Sequence, residues 1–169
     1  MPNRVYIRLH LTGTEENIDK FMKENIKTRE DVEEEYLDFE VVVPLGDEYD
    51  RDLAEKMWGT RSVGLDVNTG KKDEHSYVSF FTVNSPCTEW FEKAIEKYPE
   101  IIFTIIYHDE NNEDFYGWGF AVNGKLVDGE FICLHPGEES NNVVDIYKFA
   151  REKHNNTNNC SFEQQLEDM

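Results

Sequence analysis

Cys87 is the residue of this chain with the most chemistry to offer. A thiol in the first turn of a helix sits beside a partial positive charge, and a thiolate paired with a histidine is a nucleophile. His75 is the nearest histidine in sequence, and folding can bring His108 alongside. A small cysteine-dependent enzyme is therefore one reading. Against it, Cys87 also falls on an apolar helical stripe, where an inert buried thiol is ordinary. No other arrangement of nucleophile, base and orienting acid is present, so no catalytic residue is assigned. Cys133-Leu134-His135 offers two metal ligands, but a structural zinc takes four and no second close pair accompanies it. Asp109-Glu110-Asn111-Asn112-Glu113-Asp114 is dense in oxygen ligands. An EF-hand loop needs Gly sixth, where Asp114 stands, and Glu twelfth, where none stands. It reads as a polar turn between strands, and the expectation is no metal and no cofactor.

Two further groups can bind rather than react. In Trp58-Gly59-Thr60-Arg61, Trp58 can supply a stacking surface and Gly59 a close approach for another chain. The plainer alternative, and the favoured one, is a helix-to-strand turn with Gly59 as a left-handed cap and Trp58 packed inward. The segment from Arg29 to Lys56 holds twelve acidic and three basic residues. Glu33, Glu34, Glu35, Asp47, Glu48, Asp50 and Asp52 are its candidate binding residues. Such a surface can imitate the phosphates of DNA and occupy a basic cleft of a protein, or it can simply be a solvated face. Arg4, Arg8 and His10, with Tyr6 between them, line one side of the first strand. They have the look of an RNA-binding sheet, but the RNP1 pattern is absent and the charge of the chain opposes it, so the favoured reading is that these basic groups pair with neighbouring carboxylates.

The elements that must position these residues follow from periodicity. Val5, Ile7, Leu9 and Leu11 alternate with polar residues as in a half-buried strand. Thr14 is placed to cap a helix bearing Ile18, Phe21, Met22 and Ile26. Phe39, Val41 and Val43 predict a strand ended by Pro44. Residues 47–57 predict a short helix. Ser62–Val67 and Tyr77–Val83 predict a hairpin turning at Asn68-Thr69-Gly70. Ser85 is the expected cap of a helix with Pro86 in its first turn and an apolar stripe of Cys87, Trp90, Phe91, Ala94, Ile95 and Tyr98. Ile101–Tyr107 is apolar on both faces and reads as an interior strand. Asn123-Gly124 joins Phe115–Val122 to Lys125–Leu134 as a hairpin. Asn141 or Asn142 is placed to cap a last helix carrying Val143, Ile146, Tyr147 and Ala150. These elements predict an α+β fold, one domain over residues 1–153 with a largely antiparallel sheet and helices on one face, then a flexible tail over 154–169.

Charge and cysteine usage bound the partners. The net charge of −19 should repel nucleic acid and anionic membranes and attract a basic protein surface. Met1-Pro2-Asn3-Arg4 leads into an alternating strand rather than an export signal, and no apolar run is long enough to span a bilayer. Three widely spaced cysteines fit reduced thiols, so a cytoplasmic location is expected.

Five features recur in order: Leu37 to Pro44, Trp58-Gly59-Thr60-Arg61, Phe80 to Pro86, a Trp-bearing helix ending at Tyr98-Pro99, and Tyr107-His108-Asp109-Glu110 followed by Phe115-Tyr116-Gly117. Over about residues 37 to 124 their spacing resembles the YubB-like family of plasmid- and phage-borne proteins with a ferredoxin-like domain. The chain departs from that pattern at Ser62, Val63, Asn84 and Cys87. The resemblance implies a ferredoxin-like core and an accessory protein of a mobile element, and it carries over no catalytic residue. The reading as a whole is a non-enzymatic, acidic interaction protein that engages a host nucleic-acid-binding protein. The alternatives are the Cys87 enzyme or an acidic assembly protein.

Overall fold

A computed structural model describes residues 3–72, 75–111 and 115–133. Strand β1 (Arg4–Thr12) is followed by helix α1 (Glu15–Asn25), strands β2 (Ile26–Arg29) and β3 (Glu34–Leu37), and helix α2 (Arg51–Trp58). Strands β4 (Leu65–Lys72) and β5 (His75–Val83), helix α3 (Thr88–Lys97), and strands β6 (Ile102–Asp109), β7 (Phe115–Val122) and β8 (Lys125–Cys133) complete the order. Six strands form one antiparallel sheet in the order β4-β5-β1-β6-β7-β8, and β2 and β3 form a separate hairpin. The molecule is α+β with a largely antiparallel sheet. Among the described residues, no helix is long and apolar enough to cross a membrane.

The period-two pattern of β1 becomes a core face. Val5, Ile7, Leu9 and Leu11 pack with Val78, Phe80, Phe103 and Ile105 of the neighbouring strands. All three helices close over this face through Ile18 and Phe21, through Ala54 and Trp58, and through Trp90, Phe91, Ala94 and Ile95. Burying each large side chain contributes roughly 1.5–3 kcal/mol. On the opposite face Ile106, Trp118 and Phe120 are also buried, so the β6–β7 half of that face is covered. The half formed by β5 and β1 carries the exposed Tyr6.

Thr14 caps α1 as its sequence predicts, its side chain accepting from Asn17 N at 3.2 Å. Three local expectations are corrected. The predicted strand over Phe39–Val43 is a 3-10 turn (Phe39–Val41), because Asp38 accepts from Glu40 N at 3.1 Å and bends the chain inward. Asn68-Thr69-Gly70 is not a turn but lies in β4, paired with Ser79, Val78 and Tyr77. Ser85 does not cap α3. The helix begins at Thr88 behind Cys87, which makes no side-chain cap, and Ser85 Oγ donates instead to Gly59 O at 2.7 Å. The expected last helix near Val143 and the tail from 154 lie outside the described residues.

Candidate functional site

Trp58-Gly59-Thr60-Arg61 ends α2 and leads toward β4. Trp58 is 1% exposed, its Nε1 donating to Val43 O at 2.9 Å and its ring set edge-on to Phe39 at 5.5 Å. A ring so enclosed offers no stacking surface. Gly59 is left-handed at φ 88° and donates to Glu55 O at 3.0 Å, closing the helix. Thr60 is buried and donates through Oγ1 to Val83 O at 3.1 Å. Arg61 keeps partial access, with Nε 3.4 Å from a Glu55 carboxylate oxygen and its carbonyl accepting from the Tyr49 hydroxyl. The motif thus fastens α2 to the end of β5, as the plainer reading of its residues had it.

The candidate carboxylates stand on two separate elements, and no hydrogen bond or ion pair joins one group to the other among the described residues. Glu33, Glu34 and Glu35 are exposed on the β2–β3 hairpin, with Glu33 at φ 52°. Asp47, Glu48 and Asp50 occupy the exposed approach to α2, where Asp50 caps Leu53 N at 3.0 Å, and Asp52 lies in its first turn. Within the acidic segment, ion pairs form at Lys27–Asp38 (2.6 Å), Arg29–Asp31 (3.1 Å) and Arg61–Glu55 (3.4 Å). None of the seven candidate carboxylates has a cation within ion-pair distance among the described residues.

Cys87 is fully buried, and burial drives its thiol far above the usual range, with the Glu89 carboxylate adding to the rise. This removes the thiolate on which a Cys87 nucleophile depends, because the neutral form is the one the core stabilises. His108 lies on the opposite side of β6 from the core-facing Tyr107. Burial holds its pKa below the ordinary imidazole value, against a small opposing pull from Asp109.

The outer face of the sheet brings together residues that the sequence separates widely. Tyr6 on β1 pairs with Phe81 on β5 and with His108 on β6. The Tyr6 ring lies 6.5 Å from Phe81 and 5.5 Å from His108, centroid to centroid. The Arg4 guanidinium lies 4.8 Å over the Phe81 ring, and that of Arg8 4.3 Å over Tyr77. Asp66, Asn68 and Ser79 complete the wall of a groove of about 470 Å³. Sequence reading placed Arg4, Tyr6, Arg8 and His10 on this face, of which His10 is buried; it did not place Phe81 there and named His108 only as a partner for Cys87. The available signal was the alternation Tyr77, Ser79, Phe81, which marks the outer face of β5.

No family model matches the chain, and no curated protein matches it. Among solved structures it is similar to the crystal structure of a protein, api92, from Yersinia pseudotuberculosis that carries the family label DUF1281. The TM-score is 0.47 at 14% identity, and the likeness covers 58% of this chain and 40% of that one. A likeness this slight identifies neither family nor function.

Proposed function

We propose that this protein acts by binding, as a non-enzymatic interaction protein whose acidic flank meets a basic protein surface. The observation that carries this reading is the uncompensated charge of the β2–β3 hairpin and the approach to α2. Glu33, Glu34, Glu35, Asp47, Glu48 and Asp52 are exposed with no cation beside them among the described residues. Carboxylates held this way keep their field for a partner, where they steer association and set its salt dependence. In its sharper form, the partner is a host nucleic-acid-binding protein whose phosphate cleft these carboxylates occupy, in a bacterial cytoplasm carrying a mobile element. The same reading takes the β4-β5-β1-β6 half of the sheet, with α1 and α3 as its crossovers, as a ferredoxin-like core extended by β7 and β8. That strand order supports it, as does the order β1-α1-β4-β5-α3-β6 once β2, β3 and α2, which stand between α1 and β4 in the chain, are taken as an insertion.

The test is capture of basic, nucleic-acid-binding proteins by the immobilised chain. Wild type is compared with a variant in which Glu33, Glu34 and Glu35 become Gln and Asp47 becomes Asn. Capture is expected to fall in the variant, to weaken as salt rises, and to be competed by duplex DNA. Partners retained equally by the folded variant and at high salt would overturn the reading.

A further inference from the structure

On the outer face of β5 a serine stands between two aromatic residues. Tyr77, Ser79 and Phe81 alternate with Val78 and Phe80, which enter the core. The small side chain leaves a dip, and register fixes what surrounds it. Ser79 pairs with Arg8 on β1 and Asn68 on β4, while Phe81 pairs with Tyr6, and Tyr6 with His108 on β6. Ile7 and Phe80 border the groove although their side chains lie in the core, so its floor is sheet backbone. One long side is a wall of rings. Tyr6 at its centre is 40% exposed, with its ring inclined by 71° to Phe81 and 55° to His108. At the β4 end the strand is bulged between Leu65 and Asn68, and Asp66 there is left-handed at φ 53°. Bulges and backbone outliers of this kind gather at functional sites. Asp66 is exposed on the groove wall, and its carboxylate makes no hydrogen bond or ion pair among the described residues.

We propose that this groove binds an uncharged, flat heteroaromatic of the guanine type, its ring against Tyr6 and its donor edge on the Asp66 carboxylate. Each part of the ligand class follows from one feature. The wall of rings selects a flat aromatic group, which offers a π-face for stacking. An ionised carboxylate only accepts hydrogen bonds, so Asp66 selects an edge made of N–H donors. Guanine presents two adjacent donors, N1–H and its 2-amino group, and these meet both carboxylate oxygens at once. Adenine places an acceptor beside its amino group and meets the same carboxylate with one donor. From β1 to β4 is two strand spacings, about 10 Å, which a purine bridges from a ring contact at Tyr6 to a hydrogen bond at Asp66. The volume of about 470 Å³ falls within the range of small-molecule sites.

The charge of the groove selects against a phosphate. Its lining holds one cation, Arg8, and one carboxylate, Asp66. The Arg8 guanidinium carbon stands 4.3 Å from the Tyr77 ring centroid, and no ligand contact is assigned to it. His108 adds a ring without a charge near pH 7, because burial lowers its pKa. Beyond the groove, the net charge of −19 repels an anionic ligand as it approaches.

Calorimetric titration of the full chain with guanosine, inosine, adenosine and guanosine 5′-monophosphate tests the proposal. Saturable binding of guanosine is expected. Inosine, which lacks the 2-amino group, and adenosine should each bind more weakly by about tenfold or more, because each leaves the carboxylate partly unpaired. The monophosphate should bind no more tightly than guanosine. Tyr6→Leu should weaken guanosine by about tenfold, while Tyr6→Phe retains it. Asp66→Asn should weaken guanosine by about tenfold and narrow its lead over inosine, a change that a purely structural role would not produce. Tyr6 is exposed and asparagine tolerates a left-handed backbone, so these variants keep the fold, which circular dichroism checks. Absence of saturable guanosine binding, equal binding of the three nucleosides, or binding that Tyr6→Leu leaves unchanged would overturn the proposal. A monophosphate bound about tenfold more tightly than guanosine would also overturn it, in favour of an anion site. None of these variants touches the acidic flank, so failure here leaves the protein-binding reading standing, and the reverse holds.

Discussion

A Cβ on Gly59 would collide with the Glu89 carboxylate and come within 2.8 Å of Pro86 O, at a backbone angle that only glycine adopts freely. Gly59→Ala is therefore expected to destabilise the fold by about 1–3 kcal/mol, read as a lower melting temperature. That position was legible, because a glycine directly after a helical run is the ordinary left-handed stop. Cys87 was legible only as an ambiguity, since its place on the α3 stripe and its place near the helix start point opposite ways. Burial decided between them. In a Cys133→Ser, Cys160→Ser background, Cys87 is expected to resist thiol reagents at pH 8 in the native state and to label rapidly in denaturant. Fast native labelling would contradict the buried, protonated thiol. Tyr98 was read as the last residue of the stripe, but its hydroxyl also accepts from Asn25 Nδ2 at 2.9 Å, tying α3 to the end of α1. Removing it in Tyr98→Phe should cost about 0.5–1.5 kcal/mol by urea denaturation.

The helix α3 carries its whole apolar face into the core, with Trp90, Phe91, Ala94 and Ile95 all buried. Ile95→Ala is expected to cost about 2–5 kcal/mol, and Ile95→Asp to prevent folding. A soluble, cooperatively folding Ile95→Asp protein would show that this face is not the keystone its burial implies. The spacing of the stripe made this helix readable, since period and packing agree. The Phe39–Val43 run misled for the opposite reason. Its β-branched residues suit a strand, but Asp38 uses its side chain twice, on Glu40 N and on Lys27 Nζ, and turns Phe39 toward Trp58 and Trp90. Tertiary placement of one ring outweighed strand propensity. The charged run over 29–36 has no apolar period to read, yet Ile26 and Leu37, which flank it, pair at the base of a hairpin.

At the scale of the whole molecule, charge and proton uptake govern how conditions act. The folded His108 has a lower pKa than in the unfolded chain, because burial disfavours the imidazolium. Between the two values the unfolded chain binds more protons, so the contribution of this group to stability is full above the ordinary histidine value of about 6.5 and is lost as pH falls through the folded one. Acidification also relieves carboxylate repulsion, which acts in the opposite sense. The comparison of wild type with His108→Asn separates the two. Between pH 7.5 and 5.5, the wild type should lose more urea resistance than the variant. An identical pH dependence would show that His108 titrates alike in both states.

What the chain's letters settled by themselves was whatever depends on neighbours in sequence: the faces of β1 and α3, the Asn123-Gly124 turn, the Gly59 stop and the excess of negative charge. Alternation and helical spacing are local geometry, so they survive in any fold that uses those elements. The sheet order, the choice between the two readings of Cys87, and the row of Phe81, Tyr6 and His108 belong to tertiary structure alone. Those residues meet only because register aligns three strands that lie far apart in the chain, and register is set by the packing of the whole core rather than by any one segment.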